Sequence, residues 1–154
     1  MALPWVSFGS DASAPAPEGV FLQSNEHPRA YGNFVRVLAK YVRDDKALSM
    51  ESAIRKLSAL PAQNLSLQDR GELRKGYFAD VVVFDPKTVQ DHSTYDRPHQ
   101  LATGIEQVWV NGVQALRDGS ATGAPSGRFV HGRAWTGSPG GGCRATSRQW
   151  TWSK

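Results

Sequence analysis

Asp11 directly follows a short apolar run, residues 3–8, and a glycine-serine pair. Such a run predicts a buried strand that ends in a sharp turn. In parallel α/β barrels, catalytic side chains lie at the carboxyl ends of strands, and a carboxylate there can contact a metal ion or take a proton from water. The tripeptide alone favours a simpler interpretation, in which Ser10 or Asp11 caps a turn.

Arg29 is the second candidate, in the sequence HPRAYG that follows a long proline-rich loop. Its guanidinium has the planar fork that binds a carboxylate, and Pro28 restricts the loop that carries it. A substrate carboxylate is therefore one predicted partner. Glu18 or Glu26 on the same loop is an equally good partner for this arginine.

The remaining candidates flank these two side chains. His27 could be a ligand, an acid or a residue that hydrogen-bonds its own loop, which is the commonest of the three uses. Tyr31 and Gly32 could permit close approach of a ligand. We expect Ser10, His27 and Tyr31 to line one substrate site with Arg29. A triad of Ser10, His27 and Asp11 would instead indicate a small metal-independent esterase.

Metal-binding motifs within the chain are sparse. Its four histidines form no His-x-His or His-x-x-x-His pair, so no self-contained zinc site of the usual spacing is predicted. A Gly-x-Ser-x-Gly nucleophile turn and a phosphate-binding glycine loop are also absent from the sequence.

Two helices are predicted after a long ordered loop over residues 12–32. The first spans about residues 33–45 with Asn33 as its N-cap, and the second spans 49–60 with Ser49 as its N-cap. A break is expected at Pro61. The apolar face of the first helix has the spacing i, i+3, i+4, i+7 and consists of Phe34, Val37, Leu38 and Tyr41.

From residue 70 onward the pattern changes to short β-rich runs and turns, which predicts an antiparallel sheet between about residues 72 and 131. Asn111-Gly112 between two such runs is a strong hairpin signal. The overall prediction is an α+β fold. The predicted strands are residues 79–84, 105–110, 113–116 and 128–131.

Composition excludes several functions. The formal net charge of +4 comes from four basic residues among the last 22, and residues 1–132 have equal numbers of basic and acidic side chains. No nucleic-acid partner is therefore expected. No apolar run approaches membrane-spanning length, which predicts no membrane partner. One cysteine, Cys143, and no basic leader indicate a cytoplasmic protein.

Four sequences taken together carry a family resemblance: VSFGSDA, HPRAYGNFVRVLAKYVRDD, LSMESAIRKLSALPAQNLSLQDRGELRKGYFADVVVFDP and PHQLATGIEQVWVNGVQALRDG. Over about residues 4–132 the chain resembles the C-terminal part of N-acyl-D-amino-acid deacylases (D-aminoacylases), in the amidohydrolase superfamily. The resemblance implies that residues 1–67 are the last strand and helices of a TIM-type barrel, and that residues 68–132 are part of a small β-sandwich domain. Residues 133–154 are expected to be a disordered or appended tail.

The same resemblance implies a role for each main candidate. Asp11 matches an aspartate that contacts the metal site, acts as base toward the hydrolytic water and passes the proton to the departing amine. Arg29 matches an arginine that binds the α-carboxylate of an N-acyl-D-amino acid. One or two zinc ions are implied in the full-length family. Their other ligands lie on barrel strands that are absent here, so this chain alone is expected to bind no zinc and to have weak or no activity.

Two other functions stay open at the level of sequence. The chain could be a binding or assembly module that forms homo-oligomers through surfaces that would be covered in a complete barrel. It could also be a small esterase built around Ser10 or His27.

Overall fold

A computed structural model describes residues 1–13 and 15–132 of the chain. The order of elements is helical and then β, which agrees with the predicted α+β class. The helical elements are a 3₁₀ turn at Gly19–Gln23, α1 at Arg29–Arg36, a π-helical segment at Val37–Asp44, α2 at Met50–Leu57 and α3 at Ala59–Asn64. The strands are β1 at Val81–Phe84, β2 at Ile105–Val110, β3 at Val113–Arg117 and β4 at Ser120–Ala121.

The first predicted helix begins earlier than expected. Helix α1 starts at Arg29, directly after Pro28, which itself has helical dihedral angles. A proline at the start of a helix already has the required φ and lacks only an N–H that would be unpaired there. Asn33 is therefore inside the helix, and its prediction as an N-cap is wrong.

The second predicted helix is confirmed with its cap. The Ser49 hydroxyl oxygen accepts a hydrogen bond of 3.2 Å from the Ser52 N–H, and α2 begins at the next residue after Ser49. Glu51 lies in the first turn, and hydrogen bonds from its own backbone N–H and from Ser49 lower the pKa of its carboxyl. The break predicted at Pro61 is wrong: the helix breaks at Ser58, three residues earlier, and the short helix α3 contains Pro61 in its first turn, where a proline lacks only an N–H that would be unpaired.

Residues 3–8 do not form the predicted strand. A strand requires a neighbour for its backbone groups, and among the described residues no strand pairs with this segment. Instead, Lys56 of α2 holds it: Nζ donates to the carbonyl oxygens of Leu3 and Val6, the latter at 2.8 Å. The Phe8 N–H donates to the Lys56 carbonyl at 3.2 Å.

The four strands form one antiparallel sheet in the order β1-β2-β3-β4. The predicted Asn111-Gly112 hairpin is confirmed, and both residues have positive φ, 52° and 78°. The predicted strand over residues 128–131 is wrong. A second tight turn with positive φ at Asp118 and Gly119 returns the chain at once, so Ser120–Ala121 pair with β3 instead.

One buried cluster joins the helices to the sheet. Val89, which follows β1, is fully buried together with Ala53, and Val37 and Leu38 pack against them. Gly104 lies over Val89 so closely that a Cβ atom built on it would be 2.4 Å from the Val89 Cα. The tail predicted over residues 133–154 lies outside the described residues.

Candidate active site

Asp11 and Arg29 lie together in the structure. Their atoms Oδ2 and Nη2 are 3.3 Å apart, and the Asp11 side chain is 90% exposed while that of Arg29 is 43% exposed. Arg29 is the first residue of α1, and Asp11 has a left-handed backbone with φ of 49°. Two residues that are 18 positions apart in the sequence therefore form an ion pair at the surface, and neither Glu18 nor Glu26 takes that place.

The segment that carries Asp11 is attached to the same helix as Arg29. The Asn33 side-chain Nδ2 donates a hydrogen bond of 3.2 Å to the carbonyl oxygen of Gly9. Gly9 is two residues before Asp11, and Asn33 is one helical turn after Arg29. Ser10 lies between Gly9 and Asp11 and is half-buried. The sequence indicated a cap at Asn33 and gave no signal for this long-range contact.

His27 is fixed by both of its ring nitrogens. The Arg29 N–H donates to Nδ1 at 3.1 Å, and Nε2 is 3.1 Å from the hydroxyl oxygen of Tyr95. The two aromatic rings meet edge to face, with centroids 5.1 Å apart. His27 therefore connects the start of α1 to the long β1–β2 connection, in which Tyr95 lies. Sequence reasoning missed Tyr95, since a contact across 68 positions leaves no local pattern.

A cleft of about 380 Å³ lies beside Arg29, between α1 and the β1–β2 connection. Its floor includes Arg36, whose Nη1 is 2.8 Å from Oδ2 of the nearly buried Asp91. Burial lowers the pKa of Arg36, but the charge of Asp91 and hydrogen bonds with Asp91 and Tyr41 outweigh burial, so the net effect raises it. Arg36 stays charged. The cleft is lined by His27, Pro28, Arg29, Gly32, Asn33, Arg36, Asp91, Ser93, Thr94 and Tyr95.

Gly32 allows the β1–β2 connection to pack closely on α1. A Cβ atom on Gly32 would be 3.1 Å from the Asp91 Cβ and 3.6 Å from the Ser93 Cβ. The sequence predicted that Gly32 would permit close approach of a ligand; in the structure, the group that approaches Gly32 is the protein's own chain. Asp91 was missed by the sequence analysis for the same reason as Tyr95.

The Tyr31 ring contacts the ring of His99, with centroids 5.8 Å apart. Its hydroxyl and the His99 Nε2 are buried, and neither has a hydrogen-bond partner within the described part of the chain. Removal from water, and then the negative charge of Glu26, raise the pKa of Tyr31. Of the predicted substrate residues, His27 and Arg29 line the cleft, whereas Ser10 and Tyr31 are not among its lining residues.

The described residues do not form a metal site. No group of three or more histidine, cysteine, aspartate or glutamate side chains within residues 1–13 and 15–132 could hold an ion. Asp11 offers open carboxylate oxygens, but its nearest charged partner is a cation, Arg29. A protein zinc site needs about three ligands, so these residues by themselves do not fit zinc.

In the same described ranges, no helix has the length and apolar character needed to cross a membrane.

Two curated deacylases are similar in sequence to this chain. N-acyl-D-aspartate deacylase of Alcaligenes xylosoxydans xylosoxydans is 44% identical over 117 residues, which are 76% of this chain and 23% of that protein. D-aminoacylase of the same organism is 42% identical over 113 residues, covering 73% of this chain and 23% of the relative. The chain thus spans about a quarter of the length of these curated relatives.

Solved structures of deacylases are similar to this chain as well. A crystal structure of D-aminoacylase matches with a TM-score of 0.68 at 43% identity, over 70% of this chain and 23% of that one. N-acyl-D-glutamate deacylase of Bordetella bronchiseptica matches with a TM-score of 0.59 at 42% identity, over 63% of this chain and 21% of that one, and is complexed with zinc and a phosphonate inhibitor. Metal ions are thus bound in full-length relatives, as the resemblance implied. The sequence profile of the Amidohydrolase family matches residues 5–115, and the chain belongs to that family.

Proposed function

We propose that this chain supplies the aspartate and the arginine of a metal-dependent hydrolase that cleaves the amide bond of N-acyl-D-amino acids. The observation that carries the proposal is the contact of 3.3 Å between Asp11 and Arg29, since it brings a base and a carboxylate-binding group together across 18 positions of sequence. Relatives that are 42–44% identical over this region are deacylases of N-acyl-D-amino acids. Both features support the same chemistry.

Arg29 would bind the α-carboxylate of the substrate. A guanidinium has five N–H donors, and the contact with Asp11 uses one nitrogen, Nη2. The remaining donors can hold a second carboxylate in the geometry that arginine favours. Arg29 also borders the cleft of about 380 Å³, which gives the rest of a small substrate a place beside it.

Asp11 would act on the water that attacks the amide. Its side chain is open to solvent, so a water molecule can reach a carboxylate oxygen. The carboxylate takes a proton from the water as the oxygen attacks the carbonyl carbon, and it returns the proton to the departing amine as the C–N bond breaks. The substrate carboxylate would repel Asp11 if it were free to approach. Arg29 holds that carboxylate at a fixed place.

The metal of the full-length relatives supplies Lewis-acid chemistry when bound, and Asp11 would be one ligand to it. Because the described residues include no group of three or more possible ligands, the others would come from outside the described residues. We further propose that residues 1–67 correspond to the end of a catalytic barrel and residues 68–132 to part of a β-sandwich domain. We also propose a cytoplasmic location, which fits a chain with a single cysteine.

The first test uses the chain as it stands. We expect the purified protein to show weak or no hydrolysis of N-acetyl-D-amino acids, with or without added zinc. Metal analysis of the protein should find no stoichiometric zinc. Turnover of these substrates with one bound zinc per chain would contradict the proposal that ligands from outside are needed.

The second test places residues 5–115 in D-aminoacylase of Alcaligenes, in exchange for the matching segment of that enzyme. In an active chimera, Asp11→Asn should lower kcat by about 10²–10⁴-fold, because a general base is lost. Arg29→Lys should raise KM by about ten- to a hundredfold, because a charge-assisted hydrogen bond is weakened. Asp96→Asn and Arg97→Lys, at exposed positions of the β1–β2 connection, are the matched controls. An Asp11→Asn chimera with unchanged kcat would refute the assignment.

A second candidate function rests on exposed apolar side chains. Val20, Phe21 and Leu22 on the 3₁₀ turn are about half to three-quarters exposed, and Trp5 is 68% exposed. Such surface favours association with another polypeptide or a second copy of the chain. Light scattering that shows a homodimer, together with no effect of the chimera's Asp11→Asn change, would favour an assembly module. The esterase alternative gains no support, since both nitrogens of His27 have other partners.

A further inference from the structure

We infer that Asn33 is a positioning residue, which holds the Asp11 segment at a fixed distance from Arg29; the inference rests on the proposed function of these two side chains. Asn33 donates from Nδ2 to the Gly9 carbonyl at 3.2 Å. It lies on the helix that begins with Arg29, so one side chain connects the two halves of the candidate site. Loss of this hydrogen bond would free the aspartate to move relative to the arginine.

Little else near Asp11 could hold it. The neighbouring Phe8 packs against the core, but a Cβ atom on Gly9 would have no atom within 4 Å, so packing around Gly9 itself is open. The Asp11 side chain is 90% exposed, and an ion pair at such a surface contributes too little to order a loop. Lys56 restrains the segment as far as Phe8, and Asn33 provides the next contact, one residue later.

The residue type supports the inference. Asparagine in the middle of a helix is less favourable than alanine or leucine, because its side chain competes for backbone hydrogen bonds. At Asn33 the amide instead bonds to a segment 24 positions away. The helix thus contains a residue that is unfavourable for helix formation but makes the hydrogen bond to Gly9. The variant Asn33→Leu can test the role of this bond without weakening the helix, because leucine has nearly the shape of asparagine and is a better helix former.

The experiment follows the contact between Asp11 and Nη2 of Arg29 through the neighbouring Nε–Hε group of the same guanidinium, in the 154-residue chain. Nuclear magnetic resonance records the Nε–Hε signal of Arg29 in four proteins: unmodified, Asp11→Asn, Asn33→Leu and the double variant. We expect Asp11→Asn to move the signal in the unmodified background and to move it by less than half as much in the Asn33→Leu background. A purely structural role of Asn33 would not produce this dependence.

Control variants keep the result interpretable. Asn64→Leu makes the same change at an exposed position in α3 and should leave the effect of Asp11→Asn intact. Circular dichroism checks the fold, and Asn33→Ala provides a second variant without the amide. The inference is overturned if Asp11→Asn moves the Arg29 signal equally in both backgrounds, or if it leaves the signal unchanged in the unmodified chain. None of these readouts needs catalysis, so the chimera's activity tests the proposed function separately.

Discussion

The β2–β3 hairpin and the segment that carries Asp11 are held in opposite ways. In the hairpin, the backbone groups of two adjacent runs pair with each other through the Asn111-Gly112 turn. In residues 3–9, backbone carbonyls are bound by side chains from helices: Lys56 bonds to Leu3 and Val6, and Asn33 bonds to Gly9. The hairpin therefore depends on local sequence, whereas the candidate site depends on residues 24 to 53 positions away.

The two regions are therefore sensitive to substitutions at different places. A hairpin loses its strand pairing when its own turn is changed, because the turn sets the register of both strands. The Asp11 segment loses its anchoring hydrogen bonds when a distant helix residue is changed. Four substitutions test this difference between the two regions. They act in turn on the shared core, on the Asp11 segment, on the hairpin and on a helix cap.

The largest effect is expected from Gly104→Ala, beneath both regions. The new methyl group would be 2.4 Å from the Val89 Cα and 2.6 Å from the Val89 nitrogen, at a φ of +79°. Steric overlap and left-handed strain together should lower the free energy of unfolding by about 3 kcal/mol. Urea denaturation measures the loss. Gly76→Ala has a similar φ of +91° with nothing within 4 Å, so it isolates the strain. Equal losses for the two variants would mean that the contact with Val89 is unimportant.

Lys56→Met should release the Asp11 segment while leaving the hairpin paired. Lys56 is 2% exposed, and its ammonium donates to two carbonyls. Each carbonyl left unpaired costs about 1–3 kcal/mol unless water reaches it. Hydrogen exchange should become faster at the Phe8 amide and stay slow in β2 and β3. Lys75→Met, at an exposed turn, is the control. Slow exchange at Phe8 in the variant would show that packing alone holds the segment.

Gly112→Ala should have the reverse pattern. At a φ of +78° an alanine is strained, but its Cβ would be a comfortable 4.0 Å from the Ala79 Cβ. A loss of about 1 kcal/mol is expected from backbone strain, with faster exchange in the hairpin and no change at Phe8. Gly127→Ala, which meets no atom within 4 Å, should be neutral. If exchange at Phe8 also became faster, the two regions would be coupled through the sheet.

The smallest effect concerns pH and the cap of α2, the helix that carries Lys56. The pKa of Glu51 is lowered in the folded chain, so its contribution is present above the unfolded pKa and is lost as the pH falls through the folded pKa. Glu51→Gln should lower the thermal midpoint slightly at pH 7, and the difference should disappear once the pH is well below the folded pKa. A difference that persisted in acid would point to a cause other than the charge.

Local patterns predicted the elements whose partners are near in sequence. The Ser49 cap, the two helices and the Asn111-Gly112 hairpin follow from residues within a few positions of one another. The prediction of a strand over residues 3–8 was wrong because an apolar sequence does not by itself provide a neighbouring strand to pair with. A signal for Lys56 existed, since it lies three residues after the buried Ala53 on the apolar side of α2, where a lysine is unexpected.

The amino-acid sequence by itself determined the family, the α+β order of elements, and the identity of Asp11 and Arg29 as candidates, because motifs, caps and turns depend on short-range rules. Tertiary structure alone decided that these two side chains meet at 3.3 Å, that Asn33 and Lys56 hold the aspartate segment, and that Tyr95 contacts His27. The physical reason is distance along the chain. A hydrogen bond between residues tens of positions apart forms only after the core around Val89 has packed α1 and α2 together with the sheet.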